Sequence, residues 1–225
     1  MALSISDNPQ VPGVASQVYL PDQLIAGPFQ LVTDSVTITG GAALKRGAVL
    51  GQVTVGAAGT PTATGGNTGN GTVSSVALGS KAKVGNYTIK FKSATTYDVI
   101  NPNGVELVAG TAAGAYSDAE ISFTFATGGT AMVAGDSITI AVAAGSNSYK
   151  LAAAAATDGS QTPAAILADD VDASGGDVVG GIYLTGEFNT NALTFGAGIT
   201  AAAAKAALRS SSIFLKTSVS AADPS

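Results

Sequence analysis

Apolar and polar residues alternate in short bursts, with turn-forming residues between them. Gln30 to Thr39 places Val32, Val36 and Ile38 on one face and Leu31, Thr33, Ser35 and Thr37 on the other, the period of a half-buried strand. Leu44 to Val55 reads as a second strand, with Gly47 and Gly51 as bulges or close-approach points. Strict alternation returns at Tyr87–Lys92, Ile121–Phe125 and Asp136–Val142. Tyr97–Ile100 and Val105–Val108 flank Asn-Pro-Asn-Gly, a hairpin signal in which Gly104 takes a positive φ. Tyr149–Ala156 is expected as an Ala-rich strand. Further short strands are expected at Ala164–Leu167, at Val178–Leu184 ending in Gly186, at Ala192–Phe195 and at Ile213–Val219. One short helix, Ala201–Leu208, follows Thr200 as N-cap, with Lys205 and Arg209 near its negative end.

These elements fall into two groups. Gly56 to Gly71 is Gly, Thr, Asn, Ala and Pro with nothing apolar larger than Ala, and reads as a linker over 56–71. Residues 72–143 then carry enough hairpin-spaced strands for a small Ig-like β-sandwich, with Tyr87, Phe91, Tyr97, Phe123 and Phe125 as its core. An aromatic glycan-binding platform is the sharper alternative for the same residues. The sandwich interrupts a discontinuous, β-rich base domain of residues 18–55 and 148–225 that carries the helix. Residues 1–17, with Pro9, Pro12 and Gly13, form an extended arm, either a free tail or one laid along a partner's strand edge.

Composition narrows the function. Charged residues are 11% of the chain, a surface better suited to packing against neighbours than to standing alone. Net charge is −5, and Lys45-Arg46 are the only adjacent basic residues, which disfavours phosphate-backbone binding. There is no Cys and no His, which removes disulfides, Zn sites of the usual kind and Ser-His or Cys-His catalysis. Met1 to Gln10 lacks the basic and apolar regions of a secretory signal, and no run of 18 apolar residues exists, so no membrane partner is expected.

Several local patterns imitate chemical sites. Asp170-Val-Asp-Ala-Ser174 has the first half of a Ca²⁺ loop, but the position for the closing bidentate Glu is Gly181. Gly196-Ala-Gly198 before the helix resembles a dinucleotide turn without a parallel sheet to support it. Ser80-Lys-Ala-Lys83 matches S-x-x-K without its companion motifs. No carboxylate pair stands out for acid–base work. No enzyme activity and no cofactor are therefore expected.

Six segments carry a resemblance. Asp158-Gly-Ser-Gln-Thr-Pro-Ala-Ala-Ile-Leu167, Tyr183-Leu-Thr-Gly-Glu-Phe-Asn189, Ala192-Leu-Thr-Phe-Gly196 and Ile213-Phe-Leu-Lys216 form the later group. Tyr19–Gly27 and Leu44–Gly51 form the earlier one. In order and number they resemble the tailed-phage head decoration family, the lambda-type capsid-stabilising proteins, whose minimal pattern lacks roughly 57–145. The resemblance implies a structural protein on the outer surface of the virion, made in the host cytoplasm. It would form homotrimers on the major capsid protein and stabilise the head against DNA pressure. The arm would contact the capsid through Leu3, Ile5, Val11, Val14 and Val18. Tyr19, Leu20, Leu24, Phe29, Phe188, Ile213, Phe214 and Leu215 would make base or oligomer contacts. The sandwich would project outward, with host-surface contact as one role. The alternative reading is a β-modular surface adhesin whose middle domain binds host or glycan.

Overall fold

The computed structural model describes residues 23–217. In chain order its strands are β1 (Val32–Ile38), β2 (Ala43–Leu44), β3 (Val49–Gln52), β4 (Val55–Ala58), β5 (Thr62–Ala63), β6 (Thr72–Leu78), β7 (Gly85–Phe91), β8 (Thr96–Ile100) and β9 (Gly110–Thr111). They continue with β10 (Gly114–Ser117), β11 (Ile121–Ala126), β12 (Ser137–Ala144), β13 (Tyr149–Leu151), β14 (Pro163–Leu167), β15 (Val171–Asp172), β16 (Val178–Asn189) and β17 (Ile213–Lys216). The helix α1 (Ala201–Leu208) lies between the last two strands. The protein is mainly β with one short α-helix, as its alternation predicts.

Five of these strands close on themselves. The pairing order β1-β13-β3-β14-β16 returns to β1, because β16 also pairs with β1 over Val32–Ile38. The result is a small barrel, and closure removes the exposed edges that an open sheet would leave. Ile38, Leu50, Tyr149, Ala165, Leu167 and Ile182 fill its interior. The alternate residues of the same strands point outward. Val49, Ile166 and Phe188 pack under α1 with Ala204, Leu208, Ile213 and Leu215. β3 and β14 are thus buried on both faces, which explains their short apolar runs, whereas β1 is exposed along most of its length. The helix has a short apolar stripe, and covering this outer face stabilises it. Thr200 Oγ1 accepts from Ala203 N–H as the N-cap.

Residues 55–144 form two further sheets. One has the order β10-β11-β6; the other runs β4-β12-β7-β8-β9, with β5 also on β12. They face each other across a core of Tyr87, Phe91, Tyr97, Tyr116, Phe123 and Phe125 with Ile89, Ile121, Ile138 and Ile140.

Several local expectations are corrected. The supposed linker contains β4 and β5, both paired with β12, because Val55–Ala58 and Thr62–Ala63 complete a sheet edge that composition alone hides. Leu44–Val55 is three strands, broken by a turn at Lys45–Ala48 with Gly47 at φ +86. The Ala-rich strand stops at Leu151. Val105–Val108 forms no strand; only Glu106 bridges to Ile100. Ala192–Phe195 is a 3-10 turn followed by a single bridge from Thr194 to Ala48. Gly186 does not end its strand: β16 continues through it to Asn189. The last strand stops at Lys216, with Ser218 and Val219 outside the described residues.

Candidate functional site

The register of β16 separates two ends of the barrel. At its start, Val178 pairs with Ile38, Ile38 with Tyr149 and Tyr149 with Gln52. This is the layer from which the chain leaves for residues 55–144 and returns. At its finish, Ile25 bridges Phe188, Asn189 N–H donates to Leu24 O at 2.8 Å, and Asn189 pairs with Lys216. Both ends of the described chain therefore meet at one end of a twelve-residue strand, and the sandwich departs from the other. At a strand rise of ~3.3 Å per residue the two lie roughly 35 Å apart.

The surface at the chain-end side is apolar and cationic. Phe29 and Leu31 are exposed, and the Phe29 ring meets Phe214 edge-on with centroids 5.2 Å apart. Val32, the first residue of β1, is exposed as well. A groove of about 250 Å³ opens between the end of α1 and β17. Lys205, Arg209, Phe214 and Lys216 line it, with Glu187 at its floor. Lys216 Nζ contacts Glu187 Oε1 at 2.7 Å.

The residues expected at interfaces divide sharply. Leu3, Ile5, Val11, Val14, Val18, Tyr19 and Leu20 lie outside the described residues. Leu24, Phe188, Ile213 and Leu215 are buried beneath α1, where they make contacts within the base. Their apolar character serves the barrel's outer layer. Phe29 and Phe214 remain accessible. Leu31, Val32, Lys205 and Arg209 are accessible as well; in the sequence the first two read only as positions in one strand's alternation. The two cations were read only as partners of the helix dipole.

Local chemistry elsewhere is structural. Asp170 is held by Lys45 at 2.6 Å and by Arg46 N–H at 2.9 Å. The hydrogen bond from Lys45 depresses its pKa, joined by that from Arg46. Asp172 accepts from Ser174 N–H and Oγ, so the half Ca²⁺ loop satisfies itself. Among the described residues no group of three acidic side chains is placed to hold a metal ion. Gly196 sits where a Cβ would lie 2.0 Å from Ala152 O, a packing contact that leaves no cradle for a pyrophosphate. The sandwich aromatics are interior, each no more than 2% exposed for the five expected ones, so they form no glycan platform. At the barrel-facing end of the sandwich, Glu120 accepts from Tyr87, Asn101 and Lys83. Burial pushes its pKa up, but those hydrogen bonds and the Lys83 charge outweigh burial and hold it below the ordinary value.

The described residues form a closed barrel carrying a second β unit, with an apolar face beside the described chain ends. The family model of the bacteriophage lambda head decoration protein D matches residues 99–214, just over half of the chain, and the chain belongs to that family. The family is structural, not enzymatic, and its place is the virion capsid. The match starts within β8, inside the region expected to lie outside the family pattern, and does not include Tyr19–Gly27 or Leu44–Gly51. No curated protein matches the chain. Two crystal forms of Xanthomonas campestris FlgL are similar at 20% identity and a TM-score of 0.32. They cover 45% and 44% of this chain, which in turn spans 34% and 33% of theirs.

Proposed function

We propose that the protein cements the head from outside, binding the major capsid protein as a homotrimer and holding neighbouring capsid subunits together against internal DNA pressure. The observation that carries this reading is the family match together with the placement of both described chain ends beside the Phe29–Phe214 surface. Arm residues 1–17 precede the described chain, whose first residues lie at that end. Leu3, Ile5, Val11, Val14 and Val18 would lie along a capsid strand edge, where main-chain hydrogen bonds give affinity and alternate side chains give register. Phe29, Phe214, Leu31 and Val32 supply the apolar contact in place of the buried residues. Three linked arms act at high effective concentration, so weak single contacts sum to a firm clamp. Residues 55–144 are an inserted domain that points away from the shell.

Cosedimentation with expanded, undecorated heads, followed by heat challenge, tests this. The full chain should pellet with heads and raise their rupture temperature; a chain lacking residues 2–17 should pellet far less. No gain in head stability from the full chain overturns the reading.

A further inference from the structure

We infer that the outer edge of β17 is a second docking site, which takes an extended, carboxylate-bearing segment of the capsid shell as an added strand. This rests on the capsid-binding reading above and names a contact separate from the arm.

The backbone argument comes first. β17 ends the sheet path and pairs only with β16. Among the described residues no strand lies against its other edge, and the groove opens beside it. An exposed strand edge is a template for a further strand unless something blunts it. Here no proline interrupts Ile213–Lys216. The one charge in the strand, Lys216, is at its end and paired with Glu187, while Ile213 and Leu215 are turned into the core under α1.

Charge then selects the occupant. The whole chain is net negative, yet this groove collects three cations and one acid. Lys216 is committed to Glu187. Lys205 and Arg209 stand one helical turn apart, exposed, and no acidic side chain among the described residues pairs with either. A strand laid along β17 would bring its carboxylates to this pair while its apolar residues meet the Phe29–Phe214 rings. Position favours the shell as the source, because β17 lies at the same end of the barrel as the first described residues, beside the Phe29–Phe214 surface proposed to meet the shell.

The experiment is hydrogen exchange on the full chain, free and bound to expanded heads, with a Lys205→Glu/Arg209→Glu variant alongside. The amides of residues 213–216 that point away from β16 should exchange at least about tenfold more slowly on the shell. The variant, whose changes are on the surface, should keep the parent melting temperature. It should bind heads about tenfold more weakly and with a shallower salt dependence. A milder Lys205→Gln/Arg209→Gln chain should fall between the two. Unchanged exchange on the shell overturns the inference. So does slow exchange of those outward amides in the free protein, which would mean that the chain's own tail or a second copy fills the edge. Binding by the variant equal to that of the parent does the same. Each of these leaves capsid binding itself intact, whereas failure of the parent chain to pellet with heads removes the capsid-binding reading as well.

Discussion

The hydroxyl of Tyr87 donates to Glu120 Oε2 over 2.8 Å and joins the two facing sheets of the sandwich through a buried carboxylate. Tyr87 comes from β7, and Glu120 immediately precedes β11 in the opposite sheet. The same hydroxyl accepts from Lys83 N–H at 2.9 Å, so one oxygen serves both a loop and a carboxylate. Tyr87→Phe should therefore destabilise the protein by about 1–2 kcal/mol, since a buried acceptor loses a donor and a backbone N–H loses its acceptor. Denaturant unfolding of the two chains measures this.

The acid limb of stability follows from the same carboxylate. The folded pKa of Glu120 lies below its ordinary 4.5, so the folded state binds its proton less readily than the unfolded state. Its contribution is complete above pH 4.5 and is lost as pH falls through the folded value. Asp136, depressed by the N–H groups of Val133, Gly69 and Thr68, acts in the same direction. Melting temperature should begin to fall as pH drops below about 4.5. The fall should be smaller in Tyr87→Phe, which has already given up part of the Glu120 interaction. An identical acid limb in both chains would contradict the assignment.

Tyr116 presents the opposite case. Among the described residues its buried hydroxyl has no hydrogen-bond partner, while its ring stacks on Phe123 at 4.7 Å. Tyr116→Phe keeps the stack and removes an unsatisfied oxygen, so it should be neutral or stabilise by up to about 1 kcal/mol. Burial, reinforced by the charges of Asp118 and Glu120, raises the phenol's pKa. The folded state then holds this proton more tightly, and its contribution declines as pH rises above the ordinary 10.0. The alkaline loss of melting temperature should be shallower in the Phe variant.

How far the sequence speaks depends on how local the cause is. Tyr87–Lys92 and Ile121–Phe125 were legible because each has one buried face, and a period of two announces it. Barrel closure was not, since it depends on Val32–Ile38 meeting Val178–Thr185, about 150 residues away. The same closure misdirected the reading of the interface. Phe188, Ile213 and Leu215 look like spare apolar surface for a partner, until α1 is seen to cover them. Lys83, Asn101 and Glu120 gave no signal, as their convergence comes from three separate loops at one end of the sandwich.

Gly186 tests what a turn signal means inside a long strand. It holds φ +146, and an added Cβ would lie 2.6 Å from Leu31 Cδ2 and 2.7 Å from the Phe188 ring. Both the backbone and the space resist a side chain. Gly186→Ala should destabilise by roughly 2–3 kcal/mol. Gly65, which has open space around it and no positive φ, is the control; Gly65→Ala should change stability by less than about 0.5 kcal/mol. Equal effects at the two sites would show that the bend in β16 is not required.

The exit and return of residues 55–144 suggest a cut that the barrel should survive. Val53 N–H donates to Ser148 O at 2.8 Å and Asn147 N–H to Val53 O at 2.9 Å, just beyond the antiparallel pairing of Gln52 with Tyr149. The two crossing chains are therefore already the mouth of a hairpin. Replacing residues 54–147 by Asn-Gly asks only for a two-residue turn of the kind antiparallel strands favour. It also shortens the loop that folding must close, which lowers the entropy cost slightly. The barrel would lose the hydrogen bonds from Thr54 and Val55 to Asp158 O and the Gln161 Nε2 bond to Ser80 O at 2.7 Å, all at its rim. Its interior cluster and the layer under α1 draw nothing from the excised stretch. The shortened chain should fold cooperatively and pellet with expanded heads as the full chain does, because the Phe29–Phe214 end is untouched. An unfolded product would show that residues 55–144 are part of one folding unit with the barrel. A folded product that ignores heads would move the binding surface into the sandwich.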